Sequence, residues 1–502
     1  MWKASEIRWP CVALVAIVIA MGFRPGDSPW YFDMSRNFDL AMQFNAAPSH
    51  SLGISLPFTP AVYGLKGTHG VRYGPLPIWI DQIFLAFTRN LILMSAIRGV
   101  LVGGLTALGL LWLTQLLKVS PWLAVVTMFS PWVWYYSRQL WDNSLCIPLS
   151  VLLFASYGQF LEGRRAWALC AAVAFAALCC LTHLMILPFL FVLALHAVLF
   201  RTRWILQFKW PLLATTVLML AVSGPYLRYT ATFHGSHVPD YEPWWRGWVF
   251  PLFGAQHITG KNVGYFLEES NAAIKPSILR HAFAAARVIT YIGILACWVG
   301  MIIAIPRARR ALGRLQDVAT VDCLCLIGLA VFVAQTLFDG VEHVSLYPHY
   351  YNTTWIIYVM FAWLAFEALP RWFGAKSPTA RMTMPAYAAS LLFVELIVAW
   401  QIARNGGSKG DNYGAVLSNQ VAVVREIDRF SNTSPIDVQV SYWQTRPDTL
   451  RVLRQLVIPP IHHPAVLPTR QLVVHFRNAF PGDARIVVDN FAVSHADAGI
   501  KP

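Results

Sequence analysis

Apolar and polar positions along this chain fall into long blocks, and most of the apolar blocks are long enough to be measured against the roughly 30 Å of a bilayer's hydrocarbon core. Apolar runs occur approximately at 9–23, 91–117, 121–136, 143–161, 166–181, 184–200, 210–227, 286–305, 319–338, 351–369 and 384–403. They predict about eleven transmembrane helices. The stretch "GPLPIWIDQIFLAFT" around 75–89 is shorter, carries Asp81 and two prolines, and is expected to form an interfacial or re-entrant helix. After 403 the pattern changes: "RNGGSKGDN" has the composition of a Gly-rich linker, and the residues beyond it alternate as in a soluble α/β unit. A helix near 412–430, a strand "IDVQVSYW", a helix near 447–457 and a hairpin of "RQLVVHFRN" and "ARIVVDNF" about the turn "AFPGD" are expected there. The division is therefore a membrane domain over 1–403, with long loops at 24–90 and 228–285, and a small α/β domain over 404–502.

Composition agrees with a polytopic α-helical membrane protein: 57% of the 502 residues are hydrophobic and only 13% charged, against about one quarter charged in soluble domains. The net charge of +14 would suggest nucleic acid in a soluble protein, but here it follows topology. With "MWKASEIR" inside, those eight residues and the inner loops 118–120, 162–165, 201–209, 306–318 and 370–383 together hold about 15 Lys/Arg in roughly 51 residues, against about 11 in roughly 145 for the outer loops. That density places the N-terminus in the cytoplasm and both long loops and the C-terminal domain outside it, with no nucleic-acid partner. The short basic start also has the form of a signal peptide, but no small-x-small cleavage site follows "VAIVIAMGF", which favours a retained helix. All eight cysteines fall in predicted spans and show neither disulfide nor metal spacing.

Ionisable residues are few inside the predicted spans: Arg98, Arg287, Glu367, Glu395 and, at a turn, His183. The membrane interior is thus expected to be scaffold, since such groups usually mark substrate or ion paths. Polar chemistry gathers instead on the outer side, in "RPGDSPWYFDMSRNF", "GVRYGPL", "YYSRQLWDN", "GPYLRY", "DYEPWWRGW" and "EHVSLYPHYY". In the first of these, local rules predict a helix with Asp27 or Ser28 as N-cap and Pro29 in its first turn. Trp30, Met34, Phe38 and Met42 would form an apolar stripe lying on the membrane surface.

As a set, these stretches resemble the GT-C superfamily of membrane glycosyltransferases. The branch is the bacterial dolichyl-phosphate-mannose mannosyltransferase-like and aminoarabinose-transferase-like one (families 39 and 83). "DSPWYFDMSRN" is similar, without a gap, to the branch's D-E-x-x-Y-x-x-x-A-R-N. Asp27 stands at the first acid, Tyr31 at the tyrosine and Arg36-Asn37 at the closing pair; Ser28 replaces the second acid. "YGPLPIWI" followed by "SAIRGVL", then "SPWVWYYSRQLWDN" and "YPHYYNTTW", match further features in order across roughly residues 1–370.

The resemblance implies an inverting glycosyltransferase that moves a sugar from a polyprenyl-phosphate donor to a lipid, glycan or protein acceptor outside the cytoplasm of a bacterial inner membrane. Asp27 would be the catalytic base. Arg72, Arg138 and Arg228, each at an outer helix end, are candidates for the leaving phosphate, because a guanidinium matches phosphate geometry; interfacial snorkelling is the alternative. Tyr31, Tyr73, Asp142, Glu242, Arg246, His349 and Tyr350 are candidate substrate contacts, with capping of the helix at "NSLCIP" an equal account of Asp142 and an aromatic belt an alternative for Tyr350. No metal site or tightly bound cofactor is expected, with room for at most a weakly held divalent cation; His462-His463 lack partners at ligand spacing. A transporter or flippase of lipid-linked saccharides is the competing reading, and it would call for broken helices or charges at the midplane.

Overall fold

The protein is described from a computed structural model over residues 4–46, 49–51, 54–56, 59–67, 72–232, 244–249, 251–259, 277–313, 318–342, 347–374, 376–408, 414–431, 436–440, 447–458, 470–476 and 485–492. Its helices are α1 (Ala4–Met21), α2 (Phe32–Asn45), α3 (Leu76–Phe87), α4 (Leu91–Leu117), α5 (Trp122–Met128), α6 (Pro131–Ser137), α7 (Asn143–Gly163), α8 (Ala166–Cys180), α9 (Leu187–Gln207) and α10 (Lys209–Thr232). After the short α11 (Trp244–Val249) and α12 (Pro251–Gly254) come α13 (Ser277–Thr290), α14 (Ile292–Gly313), α15 (Thr320–Glu342), α16 (Trp355–Phe373), α17 (Pro378–Asn405), α18 (Leu417–Ser431) and α19 (Pro447–Val457). Among the described residues, 8 helical segments are long and apolar enough to cross a membrane: those of α4, α7, α9, α10, α13 with α14, α15, α16 and α17. The chain is an integral, polytopic helical membrane protein.

Burial separates the centre of the bundle from its rim. The spanning window of α7 is 94% buried, that of α10 only 11%. Leu213, Val217, Leu218 and Leu220 of α10 accordingly point outward, as lipid-facing side chains do when the surrounding solvent is hydrocarbon. Helices α14 and α16 approach most closely at Gly300, where an added Cβ would lie 1.7 Å from the Phe361 carbonyl oxygen. Only hydrogen fits there, which is the small-residue route to close helix packing.

Three local expectations are corrected. The run 121–136 is not a span: it breaks at Phe129–Ser130 into α5 and α6, seven residues each, or about 10 Å of helix apiece. Pro131 lacks an N–H and sits at the start of α6, so it closes one helix and opens the next. Second, neither Asp27 nor Ser28 caps the following helix. Pro25–Asp27 form a turn of 3-10 helix, residues 28–31 are not helical, and α2 begins at Phe32 with Tyr31 as N-cap. Third, Trp30, Met34 and Phe38 do not lie on a membrane surface; all three are at most 1% exposed and belong to the core.

The described C-terminal elements contact the segment that follows α1. Gly407–Ser408 (β1) pair antiparallel with Gly414–Ala415 (β2). The positive φ of Gly406 (69°) and Gly407 (131°) turns the chain out of α17, a conformation that side chains disfavour. Residues 436–440 (β3), 470–476 (β4) and 486–492 (β5) form a sheet in the order β3-β4-β5. The β3–β4 pair is parallel, with α19 in the crossover, and the β4–β5 pair is antiparallel with Val474 opposite Val488. Arg451 of α19 reaches Asp39 of α2 at 3.7 Å.

Candidate active site

The end of the bundle where α1 finishes and α7 begins collects most of the predicted polar residues. Arg24, with a φ of 50°, turns the chain out of α1, and its Nε lies 2.7 Å from Asp27 Oδ2. Burial pushes the Asp27 carboxyl up from its usual value, while Arg24 and Arg138 pull it back down. Ser28 is fully enclosed: its Oγ meets Ser95 Oγ at 2.8 Å, and Ser95 Oγ donates to the Arg138 carbonyl at 3.0 Å. The Ser28 hydroxyl thus ties the segment after α1 to α4 and to the turn after α6.

Arg138 is a structural strut here. It is 4% exposed, its Nη2 donates to the Phe23 and Arg24 carbonyls at 3.0 and 2.6 Å, and its guanidinium stacks over Trp134 at 4.5 Å. It therefore satisfies carbonyls left open where α1 ends. Arg98 holds the next turn: it pairs with Asp81 of α3 at 3.1 Å and donates to the Trp141 carbonyl at 2.5 Å and to Ser144 Oγ at 3.2 Å. The buried guanidinium is compensated by a carboxylate and two further acceptors, with its Nε and Asp81 Oδ2 unpartnered among the described residues, and it fixes Trp141 and Asp142 at the head of α7.

Around that head lies a bowl of aromatic rings. Tyr31 meets Trp141 edge-on at 5.5 Å, Trp141 meets His349 at 4.7 Å, and His349 meets Tyr350 at 4.6 Å. Tyr73 stacks on His183 at 4.3 Å, and His183 lies 5.4 Å from Tyr350. Gly74 makes the Tyr73 stack possible, because any Cβ there would fall 2.1 Å from the Leu181 carbonyl; the Leu76 N–H donates to that same carbonyl at 2.9 Å. The structure thus brings together Tyr31, Tyr73, Asp142, His349 and Tyr350 from four separate stretches of sequence.

Asp142 is the acid of this bowl. Its Oδ1 accepts the Asn143 N–H at 2.8 Å as the N-cap of α7, whereas Oδ2 is buried without a hydrogen-bond partner among the described residues. Burial, reinforced by the charge of Asp33 and opposed by the Asn143 N–H and Arg98, raises its carboxyl to about 7. The Tyr31 and Tyr73 phenols are pushed well up by burial, with further contributions from neighbouring tyrosines, Asp33 and Asp142, so both remain hydrogen-bond donors. His183 accepts the Met185 N–H on Nδ1 at 3.2 Å, which leaves the proton of the neutral ring on Nε2; that atom is buried with no partner among the described residues. Burial lowers His183 to about 3, so it is neutral.

Neither Asp33 nor His183 is among the site candidates expected from the sequence. The signal for His183 was its position in the break between two apolar runs; nothing local marked Asp33. Arg72 lies over Tyr63 at 4.2 Å, and its carbonyl accepts the Tyr226 hydroxyl of α10 at 3.0 Å. Arg228, two residues after Tyr226 on the same helix, is exposed, and Arg72 adjoins Tyr73 in the chain. Glu242 lies outside the described residues, and Arg246 falls in α11 with its side chain likewise outside them. Among the described residues, no three His, Cys, Asp or Glu side chains converge as a metal site would need.

No family model matches the sequence, and no curated protein matches it. Among solved structures it is similar to ArnT from Cupriavidus metallidurans in the apo state, at 13% identity and a TM-score of 0.53, covering 97% of this chain and 98% of that one. The same protein bound to undecaprenyl phosphate is also matched, at 13% identity and a TM-score of 0.48, with 96% and 98% covered. At this identity the likeness is one of fold, and it extends over nearly the whole chain. The expected polytopic α-helical membrane architecture is the one the chain adopts, and its fold is similar to that of the ArnT structure over nearly its whole length.

Proposed function

We propose that this chain, having the fold of an aminoarabinose transferase, is a glycosyltransferase that moves a sugar from a polyprenyl-phosphate donor to an acceptor hydroxyl on the extracytoplasmic side of a bacterial inner membrane. The observation that carries the reading is the unpartnered Oδ2 of Asp142, raised to about 7, within a bowl of tyrosines, histidines and a tryptophan. Aromatic faces suit sugar rings, and a carboxylate that titrates near neutrality is matched to taking a proton from a hydroxyl. The acceptor oxygen, losing its proton to Asp142, forms the new bond to the anomeric carbon. The bond from that carbon to the donor phosphate oxygen breaks, and its electron pair leaves with the polyprenyl phosphate. One such displacement inverts the anomeric centre.

Tyr31, Tyr73 and the Nε2–H of His183 supply donors to sugar hydroxyls, and Arg72 with Arg228 supplies positive charge for the leaving phosphate. The resemblance assigns the base to Asp27 instead. Oδ2 of Asp27 is paired with Arg24, whereas Asp142 is not, so the two acids make distinct predictions. Extracytoplasmic placement is supported by the Lys/Arg-dense loops at the opposite helix ends. The motif resemblance makes sugars on a polyprenyl phosphate the first donors to test.

The test is transfer of radiolabelled sugar from polyprenyl-phosphate donors to envelope glycolipid and glycan acceptors by purified protein in lipid vesicles. Formation of a glycosidic product that requires Asp142 or Asp27 supports the proposal. Movement of lipid-linked sugar across the vesicle without any product would establish the flippase reading in its place.

A further inference from the structure

At the opposite end of α16 from the aromatic bowl, separated from it by roughly 28 Å of helix, lies a second polar site. It is a cavity of about 540 Å³ between the ends of α4, α14 and α16 and the start of α15. Four cations line it, Lys118, Arg307, Arg310 and Arg371, against the single carboxylate of Glu367, and Trp372 stands at its edge. Two of the charges are already engaged. Arg310 makes a two-point pair with Asp322 at 2.9 Å for each contact, and Glu367 accepts the Ser120 N–H at 2.6 Å. The side chains of Lys118, Arg307 and Arg371 make no hydrogen bond or ion pair with any described residue. Three uncommitted cations thus share one cavity.

The other half of the wall is apolar, built by Leu117, Ile303, Val321 and Leu364. Trp372 is 55% exposed, as tryptophans are at the level of lipid headgroups. A small soluble anion would use the cations and gain nothing from the leucines. An amphiphile with a phosphate at one end and hydrocarbon at the other uses both. Basic pockets between the ends of transmembrane helices suit anionic lipid headgroups, and each Lys or Arg near an anionic surface contributes about 1 kcal/mol.

We propose that this cavity binds the phosphate headgroup of an anionic phospholipid, with Lys118, Arg307 and Arg371 neutralising the phosphate and the apolar wall receiving the start of an acyl chain. The ligand is a resident of the membrane face opposite the transfer site, and the proposal does not depend on the chemistry of that site.

Native mass spectrometry of the full-length protein in detergent, titrated with phosphatidylglycerol, phosphatidylethanolamine or inorganic phosphate, tests it. One phosphatidylglycerol should be retained by the wild type, and phosphatidylethanolamine should not be. Arg307→Gln/Arg371→Gln should weaken retention at least about tenfold, whereas Arg309→Gln, an exposed neighbour outside the cavity lining, should bind as the wild type does. If the double variant fails to fold, Arg371→Gln alone, at an exposed helix end, should weaken retention while melting normally. Unchanged retention in a normally melting variant overturns the proposal. Displacement of the lipid by millimolar inorganic phosphate also overturns it, because the site would then recognise a soluble anion.

Discussion

Gln420 of α18 donates its side-chain amide to the carbonyl of Trp30 at 2.6 Å and to that of Ala415 at 2.7 Å, joining positions 390 residues apart in the chain. Beside it the Leu417 N–H donates to the Ser28 carbonyl at 2.8 Å, and Val416 bridges Pro29. Residues 28–30 are extended and lack a helix of their own, so the backbone that leads into Tyr31 takes its partners from the far end of the sequence. The C-terminal region is in this way part of the support of the proposed site.

Replacing Gln420 with Leu should therefore leave a buried carbonyl at Trp30 unpaired, at a cost of about 1–3 kcal/mol. The expected outcome is a lowered melting temperature in detergent together with a loss of transfer, without any direct contact between residue 420 and the bowl. Retention of full transfer by a correctly folded variant would show that the strap does not set the geometry of Tyr31.

Asp142→Asn and Asp27→Asn separate two candidate bases. With Asp142 as the base, its removal should lower kcat by roughly 10² to 10⁴, while Asp27→Asn, which loosens the turn through Arg24, should have the smaller effect. The reverse order in a purified transfer assay would return the role to Asp27, as the motif resemblance implies.

The pH dependence follows from the raised carboxyl of Asp142. As a base it works when deprotonated, so kcat/KM should rise with pH through about 7 and then level off. The stability effect has the opposite sign. The folded state holds the Asp142 proton more tightly than an unfolded chain with the ordinary value of 3.8, so the resulting stabilisation is full below that value and is lost as pH rises through about 7. Asp142→Asn removes this dependence. Its melting temperature should gain on the wild type between about pH 5 and about pH 8, measured by fluorescence-monitored unfolding.

Asp81→Asn would leave the Arg98 guanidinium buried without its countercharge. Loss of one partner of a buried pair costs about 3–5 kcal/mol, so low yield of folded protein is expected. Asp81→Asn/Arg98→Met should recover yield but not transfer, because Arg98 also holds the Trp141 carbonyl and Ser144. Folding assays and transfer assays on the pair distinguish the two contributions.

Gly74→Ala probes the floor of the bowl. The new methyl group would collide with the Leu181 carbonyl, which gives way only by moving backbone, and overpacking of this kind costs about 1–3 kcal/mol. The Tyr73–His183 stack should separate, with weaker sugar binding seen as a raised KM.

Much of the protein could be read from its residues in order. Run length and hydrophobicity located α4, α7, α9, α10 and α14 to α17 because a helix that must cross hydrocarbon has to satisfy its backbone internally and face outward with apolar side chains. The same rules overestimated 121–136, since a run of aromatic and aliphatic residues has the same composition whether it faces lipid or the interior of a bundle. Pro131 marked the break, but only packing of α5 against α1 and α4, and of α6 against α4, α7 and α17, turns two short helices into core.

The amino-acid sequence by itself determined the membrane class, the order of the helices and which stretches carry polar chemistry, because these depend on composition and spacing along one chain. Tertiary structure alone decided which charges are in use. Arg138 is absorbed in closing α1, Arg98 in holding Trp141, and Ser28 in a hydroxyl chain to the turn after α6, while Asp142 retains an oxygen with no partner. Whether a buried polar atom is satisfied depends on neighbours distant in sequence, and desolvation then sets its ionisation; neither is encoded within the few residues on either side.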